Sequence, residues 1–311
     1  MDLEDFMWKN KKMQKRKINT LPYHLMLLPG TVCLFIFSIV PMMGIIIAFQ
    51  DFVPTMGIRG SEWVGFDNFK YMFQLPDTIL IFRNTLVIAV GKIVLTLLAS
   101  IVFAILLNEL QMVKAKKVVQ TVAYLPHFLS WVILATIFRD MLDSGGIINQ
   151  ILAGTGIIKE PIVFLGSNAT FQPVVILSEV WKEFGYNAVI FIAALAGINT
   201  ELYEAAEMDG AGRLKKIWHI TLPGIRQTIV LVATLNIANI LNAGFDQIYN
   251  LYSPIVYRTG DIIDTYVYRM GFLNAQFSLA TAVGLMKSVV SFILIFTSYK
   301  MADKFANYRI F

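Results

Sequence analysis

The sequence predicts an all-α integral membrane fold with six spans. Three observations carry that prediction: an excess of apolar residues, their concentration in segments of bilayer length, and basic residues placed between those segments. Hydrophobic residues make up 57% of the chain and charged residues 15%, against roughly 45–50% and 25% in soluble domains. An excess of that size has to face lipid or a very large core, and runs of about 20 apolar residues are enough to cross a bilayer as helices.

In chain order, the spans are expected near Leu25–Phe49, Asn84–Leu107, Val118–Phe138, Thr170–Gly197, Gln227–Phe245 and Leu279–Tyr299. A basic tail, residues 1–20 with its run from Lys9 to Lys17, precedes the first span. That order superficially suits a signal peptide. The apolar stretch is too long for one and lacks a small-residue cleavage pattern, so it reads as a retained signal-anchor helix. Pro29, Pro41, Pro126 and Pro173 fall in or beside spans, where neighbouring helices can satisfy the backbone groups that proline frees.

Net charge is +5, which in a soluble protein would raise nucleic acid binding; here the charge lies between apolar runs instead. With the N-terminus cytoplasmic, sixteen Lys and Arg fall inside and seven outside, leaving Lys92, Lys182 and Lys287 within spans. The positive-inside rule then places both termini in the cytoplasm. The three outer connections, Gln50–Arg83, Arg139–Ala169 and Asp246–Ser278, are long and carry aromatics; they look like a docking face. Cys33 is the single cysteine, so no intrachain disulfide or cysteine-rich metal site is possible.

The inner loop from Asn199 to Pro223 reads as a short helix, a break and a second short helix. Asn199 or Thr200 can cap the first, and Glu201 and Glu204 sit where the helix dipole favours anions. Gly210 and Gly212 permit the turn, and Pro223 marks the end of the second helix. Leu202, Ala205, Ala206 and Met208 give the first helix a small apolar face that no span can cover, so a partner surface is expected there.

The pattern Glu-Ala-Ala, three residues, Gly, nine residues, Ile-x-Leu-Pro is met by Glu204, Ala205, Ala206, Gly210, Ile220, Leu222 and Pro223. It resembles the cytoplasmic signature loop of type I ABC importer permeases. The resemblance extends from about Leu21 to the C-terminus, through Gly65-Phe-Asp-Asn-Phe69, Leu125-Pro-His-Phe128 and Tyr203-Glu-Ala-Ala-Glu-Met-Asp209-Gly-Ala211. These details are similar to the carbohydrate-uptake branch, in particular to permeases of the lipoprotein and polysaccharide type. The resemblance implies a permease domain over residues 21–311 in a bacterial inner membrane, with a coupling helix seated in a cleft of a nucleotide-binding subunit. It also implies ionic anchoring by Glu204, close helix approach at Ala205 and Ala206, and a turn at Gly210.

The partners so implied are a second permease, expected to form a heterodimer, two ATPase subunits carrying ATP and Mg, an extracytoplasmic solute-binding protein and a sugar cargo. No cofactor is expected on this chain. The sequence has no Gly-x-x-x-x-Gly-Lys-Ser/Thr loop, no His-Glu-x-x-His and no Gly-x-Ser-x-Gly elbow, so ATP chemistry is expected elsewhere. His24, His127 and His219 are scattered and suggest no metal site.

Two groups of polar residues lie inside spans, where ionisable side chains cost at least about 2.5–3.5 kcal/mol unless paired or hydrated. In span four, Trp181, Tyr186 and Asn187 either line the sugar path, with rings stacking on pyranose faces and the amide bonding hydroxyls, or anchor helices to one another. Lys182 can pair there with Glu179 or Glu183, and spacings of three and four favour contact over adjacency. In span five, Asn236, Asn239 and Asn242 fall within one broad helical sector, suited to a hydrated pathway or to a partner permease. Lys92 and Lys287 read as snorkelling or paired structural charges. A stand-alone secondary transporter with an ion-coupled Lys182/Glu183 site is the alternative; an intramembrane enzyme lacks a convergent nucleophile, base and metal set.

Overall fold

The computed structural model of the chain describes residues 21–306. The basic tail of residues 1–20 and the last residues, including Arg309, lie outside that range. The chain divides into two units, residues 1–46 and 47–311. The first contains α1 (Leu21–Leu34), which continues through a π turn at Phe35–Ile39 and one helical turn at Val40–Met42. Val40 donates its N–H to the Phe35 carbonyl, one residue further back than in an α-helix. Pro41, having no N–H, sits in the first turn after this widened one, where its missing donor costs little.

The second unit opens with a 3₁₀ stretch that ends at Phe49 and with a short antiparallel ladder. Its strands are β1 (Gln50–Asp51) and β2 (Glu62–Trp63), with Gln50 opposite Trp63. The helices that follow are α2 (Asp67–Gln74), α3 (Pro76–Asn108), α4 (Val113–Tyr124), α5 (Trp131–Leu142), α6 (Ile147–Gly154) and α7 (Phe171–Ala196). Beyond them lie α8 (Glu201–Met208), α9 (Arg213–Lys216), α10 (Arg226–Ala238), α11 (Phe245–Leu251), α12 (Ile263–Tyr268) and α13 (Phe277–Ala306). Among the described residues, three helical runs are long and apolar enough to cross a membrane, or up to six if each bent pair is one span.

Helices α3 and α7 form the centre. One cluster of buried side chains joins Ile88, Phe171 and Val175 to Ile248, Val256 and Ile262; a second joins Ile101, Ala104 and Ala188 to Phe191, Leu195 and Ile225. The close approach of α7 to α4 depends on Gly185, where an added Cβ would lie 2.1 Å from the Ala123 carbonyl oxygen. Small residues allow membrane helices to pack at such separations. Gly185→Ala is therefore expected to lower stability by about 1–3 kcal/mol through overpacking. Gly284→Ala on α13, where nothing lies within 4 Å of the added atom, is the control, expected to be neutral or mildly stabilising. Thermal unfolding of the detergent-solubilised protein measures both.

Three spans differ from the sequence expectation. The predicted third span, Val118–Phe138, is broken: a 3₁₀ turn at Leu125–Phe128 ends the first limb, and the chain bends by 101°. Pro126 removes a helical donor there. Ser130 then starts a new helix by accepting the Ile133 N–H at 3.4 Å. The predicted fifth span, Gln227–Phe245, ends early at Ala238. Asn239 and Asn242 follow in tight turns, and Gly244 takes a left-handed φ of 93° before α11 begins. Asparagine side chains compete for nearby backbone groups and so favour helix ends. Asn236, Asn239 and Asn242 therefore do not share one continuous helix. Elsewhere α3 starts at Pro76 rather than near Asn84, because proline is pre-organised for a first helical turn.

Candidate functional site

The loop between α7 and α10 is a built hook. Asn199, rather than Thr200, supplies the side-chain cap of α8: its Oδ1 accepts the Glu201 N–H at 3.0 Å. The helix ends in paired closing bonds, Gly210 N–H to the Glu207 carbonyl at 3.0 Å and Ala211 N–H to the Ala206 carbonyl at 2.8 Å. This termination needs a left-handed residue, and Gly210 has φ of 72°. Two contacts tie the returning limb to α8. Lys216 pairs with Glu207 at 2.5 Å, and the Tyr203 and Thr221 hydroxyls meet at 3.0 Å. The hydrogen bond and charge from Lys216 hold the Glu207 carboxyl below its ordinary pKa.

One side of the hook is rooted in the bundle. Ile217, Leu222 and Ile225 pack with Ile198, Ile101, Phe191 and Leu195, so the hook's root shares a buried cluster with α3 and α7. The other side is bare. Glu204, Ala205, Asp209, Gly210 and Pro223 are exposed, and Ala206, Ile220 and Leu222 are half-buried. Met208 is 89% exposed and Trp218 67%. Apolar side chains so displayed, beside carboxylates, mark an interaction surface.

The second feature is a cavity of about 250 Å³. Its polar wall comes from three elements: Lys92, Thr96 and Ser100 on α3; Glu179, Glu183 and Asn187 on α7; and Asn236, Asn239 and Asn242 on α10 and the turns after it. The first two sets are spaced by four, which places each on a single helix face. The asparagines thus converge even though their helix stops at Ala238. Such a lining offers amide, hydroxyl and carboxylate groups suited to hydroxyl-rich ligands.

The charges in this wall are organised. Lys92 is buried and donates to the Ala243 carbonyl at 2.6 Å and to Gln247 Oε1, with Glu179 Oε2 at 3.8 Å. Gln247 in turn donates to the Val175 carbonyl and to Ser178 Oγ. Lys182 bonds the His127 carbonyl at 2.9 Å and Glu183 Oε1 at 2.8 Å, while His127 Nδ1 and Glu183 Oε2 meet at 2.8 Å. Lys182 therefore pairs with its sequence neighbour and not with Glu179, because both side chains turn to the 3₁₀ segment that carries His127. Lys287 is paired as well, with Asp264 at 2.6 Å and Asn242 Oδ1 at 2.9 Å.

The structure separates two of the sequence-predicted pathway residues from the others. Trp181 lies with Val118, Val119, Val122 and Phe184 around an apolar pocket, edge-on to Phe138. Tyr186 stacks on His127 with ring centroids 3.8 Å apart. Conversely, Lys92, Thr96, Ser100, Glu179 and Glu183 line the cavity without standing among the pathway residues expected from the sequence. The repeats Lys92/Thr96/Ser100 and Glu179/Glu183/Asn187 are the signal that points to them. Among the described residues no cluster of three His, Cys, Asp or Glu side chains is placed to hold a metal ion.

A helical membrane bundle that pairs a polar cavity with an uncovered inter-span hook is a transport permease. The chain belongs to the family described as binding-protein-dependent transport system inner membrane component, whose model matches residues 97–305, so it is a multi-pass membrane protein. It is 43% identical over 289 residues to Protein LplB of Bacillus subtilis (strain 168), covering 93% of this chain and 90% of that one. It is 41% identical over 304 residues to the polygalacturonan/rhamnogalacturonan transport system permease protein YteP of the same organism, covering 97% and 94%. Among solved structures, it matches the bacterial alginate ABC transporter in complex with alginate pentasaccharide-bound periplasmic protein. That match has a TM-score of 0.84 at 34% identity and covers 94% of this chain and 98% of the other. The type I ABC importer permease fold expected from the Glu204–Pro223 pattern is the fold observed.

Proposed function

We propose that this chain is one of two membrane-spanning subunits of an ATP-driven, solute-binding-protein-dependent importer of oligosaccharides or polysaccharide fragments. The observation that carries the reading is the hook: a capped helix with an uncovered outer face, whose root is packed into the helices that wall the cavity. The coupling residues are Glu204, Ala205, Ala206, Asp209 and Gly210, with Ile220, Leu222 and Pro223 forming the return. Closure of two ATPase subunits, which carry ATP and Mg, moves this hook and switches the cavity between inward and outward access. The chain itself binds no cofactor and performs no catalysis. Asn187, Asn236, Asn239 and Asn242 bond sugar hydroxyls in the pathway.

A sugar cargo is supported by the amide and hydroxyl lining and by relatives named for galacturonan and alginate transport. The excess of basic residues on the hook's side supports cytoplasmic termini. The opposite face would receive the solute-binding protein; the alginate transporter is likewise found in complex with a periplasmic protein. Affinity purification of the chain from its native membrane is expected to bring down an ATPase and a second permease. In proteoliposomes holding the purified assembly, uptake of the binding protein's sugar is expected to require ATP. Uptake driven by an ion gradient without ATP would instead select the secondary-transporter reading.

A further inference from the structure

The connection between the first helical run and α3 is a rigid piece of structure that leaves four aromatic rings uncovered. Its frame is hydrogen-bonded: the Asn68 amide donates to the carbonyls of Ala48 and Gln50, both at 2.9 Å, and the Gln50 amide donates to the Ile58 carbonyl. Phe49 stacks on Trp63 at 5.7 Å and meets Phe66 edge-on at 5.5 Å, and Phe69 closes the group. On α2, Met72 is fully buried against Ile81, Ile263, Tyr266 and Val283. With this frame in place Trp63 is 63% exposed, Phe66 67%, Tyr71 51% and Phe73 60%.

The position of the segment selects the occupant of that surface. It leaves one apolar run at Phe49 and enters another at Pro76, and both runs are long enough to span a bilayer, so the segment links two candidate spans. The patch is continuous along the chain with Ile79 in the first turn of α3, which is also exposed. Trp and Tyr are the residues that prefer the head-group layer, where an amphipathic ring has both apolar and wet surroundings. Charge does not favour a protein partner: Asp51, Glu62 and Asp67 stand against Arg59 and Lys70, and Asp67 is paired with Lys70 at 2.7 Å. We propose that the connection from Gln50 to Leu75 is an interfacial anchor whose Trp63, Phe66, Tyr71 and Phe73 side chains seat in the lipid head-group layer. On this view only the other two outer connections remain for a docking protein.

The test uses the full chain in phosphatidylcholine vesicles, with Trp63 kept and the other four tryptophans replaced by Phe. Blue-shifted emission, quenched more by lipid brominated near the head group than by lipid brominated deep in the acyl chain, is the expected result. Emission quenched by aqueous acrylamide and untouched by either lipid overturns the proposal. A second measurement avoids the tryptophan replacements: a spin label at Phe73→Cys in a Cys33→Ser background. It should collide with oxygen more than with a water-soluble nickel chelate. Equal protection from both reagents would mean that a protein covers the surface, and overturns the proposal.

Discussion

Glu204→Lys and Gly210→Pro are each expected to abolish ATP-driven uptake while leaving the subunit inserted at normal levels. The two substitutions attack the hook differently. Glu204 is exposed in the first turn of α8, next to the bare Ala205, so reversing its charge changes what a partner meets and costs the helix itself at most about 1 kcal/mol through the dipole. Truncating a central interface anchor typically costs 2 kcal/mol or more, a factor of about 30 in affinity, and charge reversal adds repulsion. Gly210→Pro acts on the frame. Proline holds φ near −65°, whereas Gly210 needs 72° and donates its N–H to the Glu207 carbonyl, so α8 loses its termination. Uptake into vesicles, with subunit abundance measured alongside, checks both. Normal transport by both variants would remove the hook from the mechanism.

The hook was readable in the sequence because its determinants are local. A side-chain cap at Asn199 and a left-handed glycine at Gly210 act within a few residues of themselves, whatever surrounds them; Pro223, expected to mark the end of the second helix, instead lies inside the returning run, just after a π turn at Ile217–Thr221. The broken third span was not readable on those terms. Pro126 is tolerated within a membrane helix when neighbours satisfy the freed carbonyl, and here the chain instead turns, with Ser130 starting a new helix. The asparagine repeat suggested one helical face, yet the helix stops at Ala238 with Asn239 as its cap; the side chains converge through the turns that follow.

Trp181 shows the opposite lesson. It is two residues before Glu183, a rotation of about 200° around the helix axis, so it belongs on the face opposite the cavity although it is adjacent in sequence to polar residues. Tyr186 lies three residues after Glu183 and meets His127 instead. Helical phase, applied to Glu179, Glu183 and Asn187, sets Trp181 apart from the wall but leaves Tyr186, seven residues from Glu179 and so almost in phase with it, beside the wall; it is the stacking on His127 that takes Tyr186 out of it. What phase cannot supply is the partner of each face, which is why Lys92 could be read as a paired charge without Gln247 or Ala243 being named.

That pairing carries the second large effect. Lys92→Met is expected to destabilise the assembled protein by about 3 kcal/mol, in the range seen when one member of a buried ion pair is removed. The lost ammonium leaves the Ala243 carbonyl and Gln247 Oε1 without their donor, and Glu179 Oε2, which has no hydrogen-bond partner, without its neutralising charge. Glu179→Gln alone should cost less than Lys92→Met, because Lys92 keeps both carbonyl acceptors and loses only a contact at 3.8 Å. If Lys92 serves chiefly to neutralise Glu179, the double variant melts above Lys92→Met. If it serves chiefly to hold the turn after α10, the two losses add. The geometry favours a measurable coupling together with a residual loss, since Gly244 brings the backbone so close that a Cβ there would sit 2.8 Å from the Lys92 nitrogen. Such proximity makes the ammonium part of the turn's structure as well as its electrostatics, and the asparagine wall of the cavity rests on that turn. Thermal melting of the four variants of the cycle separates the two contributions, and strict additivity would exclude the Lys92–Glu179 pair as a stabilising element.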